Sequence, residues 1–486
     1  MEPENLKFGG GTAETILHPV VLVAMLIAAV LILLLPRKYA VVPVLLMAFL
    51  VPIGQQFVIG GLHVFVLRIL ILVALLRALF STLFSQARIF SGGLNSLDKV
   101  FLLWTFFHVV AFLFLFSFQS AAVVNQFGFV WDILGGFLAL RFFIQEEEDI
   151  ARVIRTFAFI SAILAICMLN ERFRMQNIFG LLGGMRTVPE IRDGLARAQA
   201  AFSHPLLAGV FGATLLPLFF LYWHSGKSKI VAVIGILGST IMTICAASST
   251  PVLAYMAGIG ALCFWPFRKH MRMFRWGLVL GLLALHLVMK APVWYLIDRI
   301  SLFGSSSGYH RATLVDTFIR HFGDWWLVGT NAAGNWGWDM WDTSNQYIAE
   351  GEGGGLATFV CFLAIISICF SRIGKARKAV EGDRAKEWYF WFLGAALFSH
   401  VVGFFGISYF DQTRMAWLAL LVMIIAATAP VLATSEATEM QPADTPIAGA
   451  PLAAAPQTIS SHPWLSTPTR KSLLGQHGSE FKPRRS

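Results

Sequence analysis

The chain has 486 residues, of which 57% are hydrophobic and only 13% charged, and its formal charge is +10. A mean hydropathy of +0.69 is more apolar surface than water-facing domains can bury, which excludes a soluble enzyme, a disordered chain, a collagen-like fibre and a disulfide scaffold. All five cysteines lie inside apolar runs, with no CxxC pair and no zinc-ligand spacing, so buried structural thiols and no bound metal are expected.

In chain order, apolar runs fall near 16–35, 40–54, 62–80, 100–117, 122–143, 156–170, 205–223, 230–246, 250–267, 276–291, 355–371, 387–405 and 414–433. They predict an all-α, polytopic membrane fold of about thirteen transmembrane helices, between about twelve and fourteen. The N-terminal stretch lacks a basic region of the kind that precedes a cleaved signal, so Ile16–Leu35 reads as a retained first helix. Six alternate connections, from Arg37–Lys38 through Arg141–Arg155 to Arg372–Lys386, hold 20 basic residues. The short connections near 55–61, 118–121, 247–249 and 406–413 hold none. That asymmetry puts the N-terminus outside and the C-terminus in the cytoplasm, and it accounts for the positive charge without nucleic acid.

Residues 1–434 are thus expected as a transmembrane domain and 435–486, with seven prolines and no helical periodicity, as a disordered cytoplasmic tail. Two long connections, 171–204 and 291–354, fall on the outer side. Together they carry eight arginines and no lysine. Guanidinium stays charged and presents a planar fork to phosphate, so this face is suited to gripping an anion. Within the second loop, Arg311–Leu327 repeats Leu314, Phe318, Phe322 and Trp326 at helical spacing, with Asp316–Arg320 and Arg320–Asp324 as i,i+4 partners. Six of the fifteen tryptophans lie here, suited either to the membrane interface or to sugar stacking.

Other signals are weaker. Ser225-Gly226-Lys227-Ser228 lacks the first glycine of a phosphate-binding loop. Gly277 and Gly281 form a GxxxG that predicts close helix packing. His108, His286 and His400 stand alone in apolar runs and are expected to be packed. Arg68 and Asp132, charged within spans, could pair with each other or serve a substrate.

Three stretches together resemble the O-antigen ligase and O-antigen polymerase family of bacterial polysaccharide assembly. The first is Asp132-Ile-Leu-Gly-Gly-Phe-Leu-Ala-Leu-Arg141, with Asn170-Glu171 and Asn177 after one helix. The second is Arg197-Ala-Gln-Ala-Ala-Phe-Ser-His204-Pro205. The third runs from Tyr309-His310-Arg311 through Gly329 to Asp342-Thr-Ser-Asn345-Gln-Tyr347 and Gly355-Leu356. The likeness spans about residues 130–365, roughly half the chain.

The resemblance implies a metal- and ATP-independent glycosyltransferase in the bacterial inner membrane, with no cofactor and an active site facing the periplasm. Its donor would be an undecaprenyl-diphosphate-linked glycan and its acceptor a lipid-linked glycan, with membrane lipids and a chain-length regulator or other assembly protein as further partners. By position, Arg197 and Arg311 would clamp the diphosphate and Asp342 would join them in catalysis. His204, His310, Arg320, Ser344, Asn345 and Tyr347 would bind substrate. Where the family's ligases carry a histidine, this chain has Ser344. A serine is no general base near neutral pH, which favours a polymerase over a ligase acting on lipid A core. Asp342, Glu350, Glu352, His310 and His321 are left as candidate bases. A transporter or flippase of a lipid-linked or anionic solute is the reading from a different class, although no internal repeat marks one.

Overall fold

A computed structural model describes residues 14–60, 62–85, 90, 92–299 and 307–440. Helices α1 (Pro19–Leu34) and α2 (Arg37–Leu50) lead into a hairpin of β1 (Gln56–Ile59) and β2 (Leu62–Phe65), with Gln56 opposite Phe65. After α3 (Val66–Ser85) and α4 (Ser96–Leu115) comes one rod: α5 (Ser120–Val130), a π-helical turn (Trp131–Gly135) and α6 (Gly136–Phe143). Helix α7 (Glu147–Arg174) precedes a second hairpin, β3 (Glu190–Arg192) and β4 (Leu195–Arg197). Then follow α8 (Pro205–His224), α9 (Lys229–Cys245), α10 (Ser249–Cys263) and α11 (Met271–Val288). The second long loop holds α12 (Leu296–Arg299), α13 (Ser307–Arg320) and α14 (Phe322–Trp325), and α15 (Gln346–Ala379), α16 (Arg384–Gly403) and α17 (Gln412–Met440) complete the fold.

Each of the thirteen apolar runs contains a helix. Among the described residues eight helical segments are long and apolar enough to cross a membrane, the build of a multi-pass membrane protein. Helices α1, α9 and α10 are apolar but shorter. The ends are set locally. Asn95 and Asp98 form a capping box on α4, and Glu146 and Asp149 form one on α7. His204 and Asn345 cap α8 and α15 with their side chains, and Pro205 occupies the first position of α8, where a missing N–H costs nothing.

The core centres on α8, buried along almost its whole length. Small residues bring its neighbours close. A Cβ on Gly238 would sit 2.8 Å from the Ser161 backbone, and one on Gly212 would lie 3.0 Å from the Ser239 carbonyl oxygen. Phe49 stacks on Phe211 at 4.5 Å and meets Phe157 edge-on at 5.6 Å.

Contacts sort the connections into two groups. At one end, Ile16 pairs with Gln56, Gln55 Nε2 donates to the Leu182 carbonyl, Ser203 donates to Asp411, and Gln346 N–H donates to the Phe404 carbonyl. In the other group, Arg37 reaches Asp149, Lys227 reaches Glu148, and Arg268 reaches Glu387. The first group holds connections poor in lysine, and the second belongs to the six basic connections, rich in arginine, lysine or both.

Several expectations need correction. Arg141, counted as the marker of a cytoplasmic connection, is wholly buried and paired with Asp98 at 3.0 Å. Among the described residues Gly277 and Gly281 meet no neighbouring helix: α11 has no buried residue, and a Cβ on either glycine would find nothing within 4 Å. Of the cysteines, Cys245 and Cys369 are buried, but Cys263 is exposed. The two hairpins were not foreseen, and Leu62–Phe65, assigned to a span, is strand. The segment 435–440, assigned to the tail, continues α17, and 441–486 lies outside the described residues. Arg68 and Asp132 do pair, through bonds of 2.9 and 2.7 Å, on the π-helical turn. His400 is packed as expected, its Nδ1 2.9 Å from the Tyr409 hydroxyl, and His108 stacks on Phe129 at 4.2 Å.

Candidate functional site

The first long loop, 175–204, is fixed by two polar side chains. Glu171, wholly buried at the end of α7, accepts the backbone N–H groups of Gln199 (2.9 Å) and Ala200 (2.8 Å). Asn177 Nδ2 donates to the Ala200 carbonyl at 2.9 Å, and its Oδ1 accepts the Phe179 N–H. Ala200 sits at φ +49°, a conformation an alanine holds only when its surroundings impose it. Phe202 then enters the aromatic core against Phe49 and Phe211. The turn therefore holds Arg197 and His204, at its two ends, in place.

Arg197 is 2% exposed. Its Nη1 donates to Glu190 across the β3–β4 hairpin at 2.7 Å, while its Nε is buried without a partner. His204 Nδ1 accepts the Leu206 N–H at 3.1 Å. Burial, reinforced by the Arg197 charge, pushes its pKa down to about 4. The imidazole is then neutral at pH 7 with its hydrogen on Nε2, a hydrogen-bond donor rather than a base. Beside it lies a cavity of about 380 Å³ lined by Arg186, Glu190, Gln199, Ser203 and His204.

The second long loop brings Arg311 on α13 into the same electrostatic field. This side chain is 9% exposed, and among the described residues its Nε has no partner and its guanidinium no carboxylate at ion-pair distance. Burial, then the charge of Arg192, with Arg197 adding and Asp342 opposing, brings its pKa down to about 10. Arg192 on β3 and Arg197 on β4 thus share an electrostatic field with Arg311 on α13. His310 Nε2 donates to the Asp342 carbonyl at 3.2 Å.

The remaining expected site residues serve other contacts. Arg320 is largely exposed and paired with Asp316 at 2.7 Å. Its second expected partner, Asp324, accepts the Trp336 indole instead, because the helix breaks at His321. Ser344 N–H turns back onto the Asp342 carbonyl. Asn345 Oδ1 caps α15, and the Tyr347 hydroxyl donates to the Val401 carbonyl at 2.9 Å, so both hold that helix in position. Of the loop's tryptophans, Trp325 is buried in stacking on Phe318, whereas Trp338 and Trp341 are exposed.

Helix α15 is two helices joined at Gly355, whose φ of +70° breaks the ladder. The loop after α14 fills the break. Thr330 N–H donates to the Glu352 carbonyl, Leu356 N–H donates to the Trp326 carbonyl, and Gly329 at φ +87° leaves room for that approach. Glu352 accepts the Thr343 hydroxyl at 2.6 Å. A second cavity, about 160 Å³, is lined by Trp104, His108, Phe129, Glu350, Arg414 and Trp417 among others. There both Glu350 oxygens are occupied, by Trp104 Nε1 at 2.7 Å and Gln346 Nε2 at 2.6 Å.

Sequence reasoning missed Arg192 and Glu190 because the hairpin that carries them is only three residues per strand. Spacing offered no signal for it. Among the described residues no group of three or more His, Cys, Asp or Glu is placed to hold a metal ion. No protein-family profile matches the chain, and no curated protein matches it in sequence. The groups assembled at this end of the molecule are buried guanidinium groups, suited to an anion, beside a neutral imidazole donor and several carboxylates.

Proposed function

We propose that this chain is a membrane-embedded glycosyltransferase that polymerises undecaprenyl-diphosphate-linked oligosaccharide repeats on the outer face of a bacterial inner membrane. The observation that carries it is Arg311: a buried guanidinium without a carboxylate partner, in the field of Arg192 and Arg197. A buried cation left unpaired costs several kcal/mol, on the order given for such ions, and a diphosphate would satisfy it. In the reaction an acceptor hydroxyl attacks the anomeric carbon of the donor while the bond to the diphosphate oxygen breaks. Negative charge grows on the leaving group, where Arg197 and Arg311 stabilise it. His204 Nε2–H adds a neutral donor. The donor is already activated, so neither nucleotide nor metal enters this scheme.

The positive-inside tendency supports the outer side, since the arginine site lies among connections grouped apart from those that carry Lys227 and Lys269. Ser344 in place of a histidine favours growth on a second lipid-linked repeat over transfer to lipid A core. Gene deletion followed by analysis of lipid-linked glycans tests the proposal. Accumulated single repeats support polymerisation, intact polymer stranded on its carrier points to a ligase, and unchanged glycans overturn both. Repeats trapped on the inner leaflet would identify a flippase instead. In the complemented strain, Arg311→Ala is expected to slow chain extension about 10²–10³-fold, the loss typical of one removed charge-stabilising donor. Arg311→Lys is expected to recover little, because a point charge lacks the two-pronged contact.

A further inference from the structure

Polymerisation as proposed needs a group that takes the acceptor hydroxyl's proton. We infer that Glu352 is that proton acceptor and that Thr343 positions it, an assignment that rests on the function proposed above.

The candidates separate by what their atoms already do. His321 Nδ1 donates to the Thr317 carbonyl at 2.9 Å, which leaves Nε2 as the ring's acceptor, but ten positions of helical rise, about 15 Å, separate it from Arg311. Both His310 nitrogens face oxygens, Nε2 the Asp342 carbonyl and Nδ1 the Asp339 carboxylate at 4.0 Å. Glu350 has both oxygens engaged by Trp104 and Gln346. Asp342 is exposed, and its charge is set against Arg311. Glu352 differs. One carboxylate oxygen accepts the Thr343 hydroxyl at 2.6 Å, while Oε1 is buried and among the described residues has no partner. Glu171 also keeps a bare oxygen, but it is wholly buried and holds the turn at Gln199 and Ala200, which a substrate could not displace without undoing that loop.

Position supports the choice. Thr343 directly follows Asp342, the residue whose charge acts on Arg311, so the side chain that holds Glu352 is one position along the chain from a residue in the field of Arg311. The Glu352 backbone is pinned as well, its carbonyl accepting the Thr330 N–H at 2.8 Å where the outer loop closes on the helix break. A carboxylate fixed by its own backbone and by one oxygen, with the other oxygen unengaged, is a preorganised base. As the acceptor oxygen bonds to the anomeric carbon, its proton passes to Glu352 Oε1. The bonding pair of the broken C–O bond leaves on the diphosphate, and the proton later goes to water.

The test uses the deletion strain carrying the full-length wild type, Glu352→Gln, Glu352→Asp or Thr343→Val. Chain extension is followed in right-side-out membrane vesicles on the strain's own lipid-linked repeats, between about pH 5 and 9. Glutamine keeps an oxygen for Thr343 but cannot take a proton. It is expected to lower the rate about 10²–10⁴-fold and to abolish the fall in rate at low pH that marks a base being protonated. Thr343→Val is expected to slow the reaction several-fold while keeping that acidic limb. A wild-type rate in Glu352→Gln, or a lowered rate that keeps the acidic limb, would overturn the assignment. Should Glu352→Gln lose its trypsin-resistant fold, Glu352→Asp decides: a slowed reaction with a displaced acidic limb supports the base, and an unmoved pH profile counts against it. If deletion and wild-type complementation leave the glycans alike, the parent function fails, an outcome distinct from failure of Glu352 alone.

Discussion

The arginines and histidine of the two long loops are set apart by burial as much as by charge. Arg197 gives one nitrogen to Glu190 and keeps another unpartnered, whereas Arg311 has no ion-pair partner among the described residues. Under the proposed function, an incoming diphosphate would offset the cost of that burial. His204 provides a separate readout. Its folded pKa of about 4 lies below the ordinary imidazole value of about 6.5, so the folded chain binds fewer protons than the unfolded one between those two values. Stability is therefore full above about pH 6.5 and falls as pH drops toward about 4. Thermal unfolding in detergent should show this loss for the wild type, and His204→Asn, which keeps a helix cap, should flatten it. The Asp98–Arg141 pair is a purely structural counterpart. Asp98 both caps α4 and neutralises a wholly buried guanidinium. Asp98→Ala should cost about 3–5 kcal/mol by leaving that charge uncompensated, measured as a lowered unfolding midpoint. Asp132→Ala should cost less, because the Arg68–Asp132 pair is partly exposed.

Among the elements, the break in α15 matters most to the site. A continuous helix would satisfy its own backbone and leave the outer loop unattached. At Gly355 the interruption frees groups that Thr330 and Trp326 take up, so the loop bearing Arg311 docks through main-chain bonds. A Cβ on Gly329 would lie 2.1 Å from the Glu352 carbonyl oxygen, and one on Gly355 would lie 2.5 Å from that of Leu327. With positive φ at both positions, Gly329→Ala and Gly355→Ala should each destabilise this docking by more than about 1 kcal/mol. Faster proteolysis within 307–345, with the helical bundle still resistant, is the expected signature. The helices themselves were legible because apolar runs in lipid have almost no alternative to helix. The amphipathic repeat of Arg311–Leu327 was legible only in part: Leu314, Phe318 and Trp325 are buried as a cluster, but the chain turns at His321 and leaves Phe322 and Trp326 exposed.

For the whole molecule, the pairing of same-side connections provides a test of orientation. Asp193, exposed on the β3–β4 hairpin, and Glu381, half-exposed and paired with Lys269, belong to opposite groups of connections. In a background with the natural cysteines replaced, a cysteine at 193 should react with an impermeant maleimide in intact cells. One at 381 should react only after the membrane is opened. The reverse pattern would place the arginine site in the cytoplasm and remove the proposed donor from its reach.

Composition and periodicity alone determined that the chain is helical, membrane-spanning in build and basic on alternate connections, because each of these follows from local residue content and from the need of backbone groups for partners in lipid. The excess of arginine over lysine in the two long loops was also visible, as was the +10 charge that contains it. Only the tertiary structure decided which arginines share one electrostatic field. Arg192, Arg197 and Arg311 are separated by up to 119 positions, and what joins them is a turn nailed down by Glu171 and Asn177 and a loop seated on a broken helix. It also showed Arg141 to be buried structure rather than a topological marker, and left Gly277 and Gly281 without a helix to pack against. Burial and the direction of a side chain are properties of the assembled fold, and no spacing in a single sequence carries them.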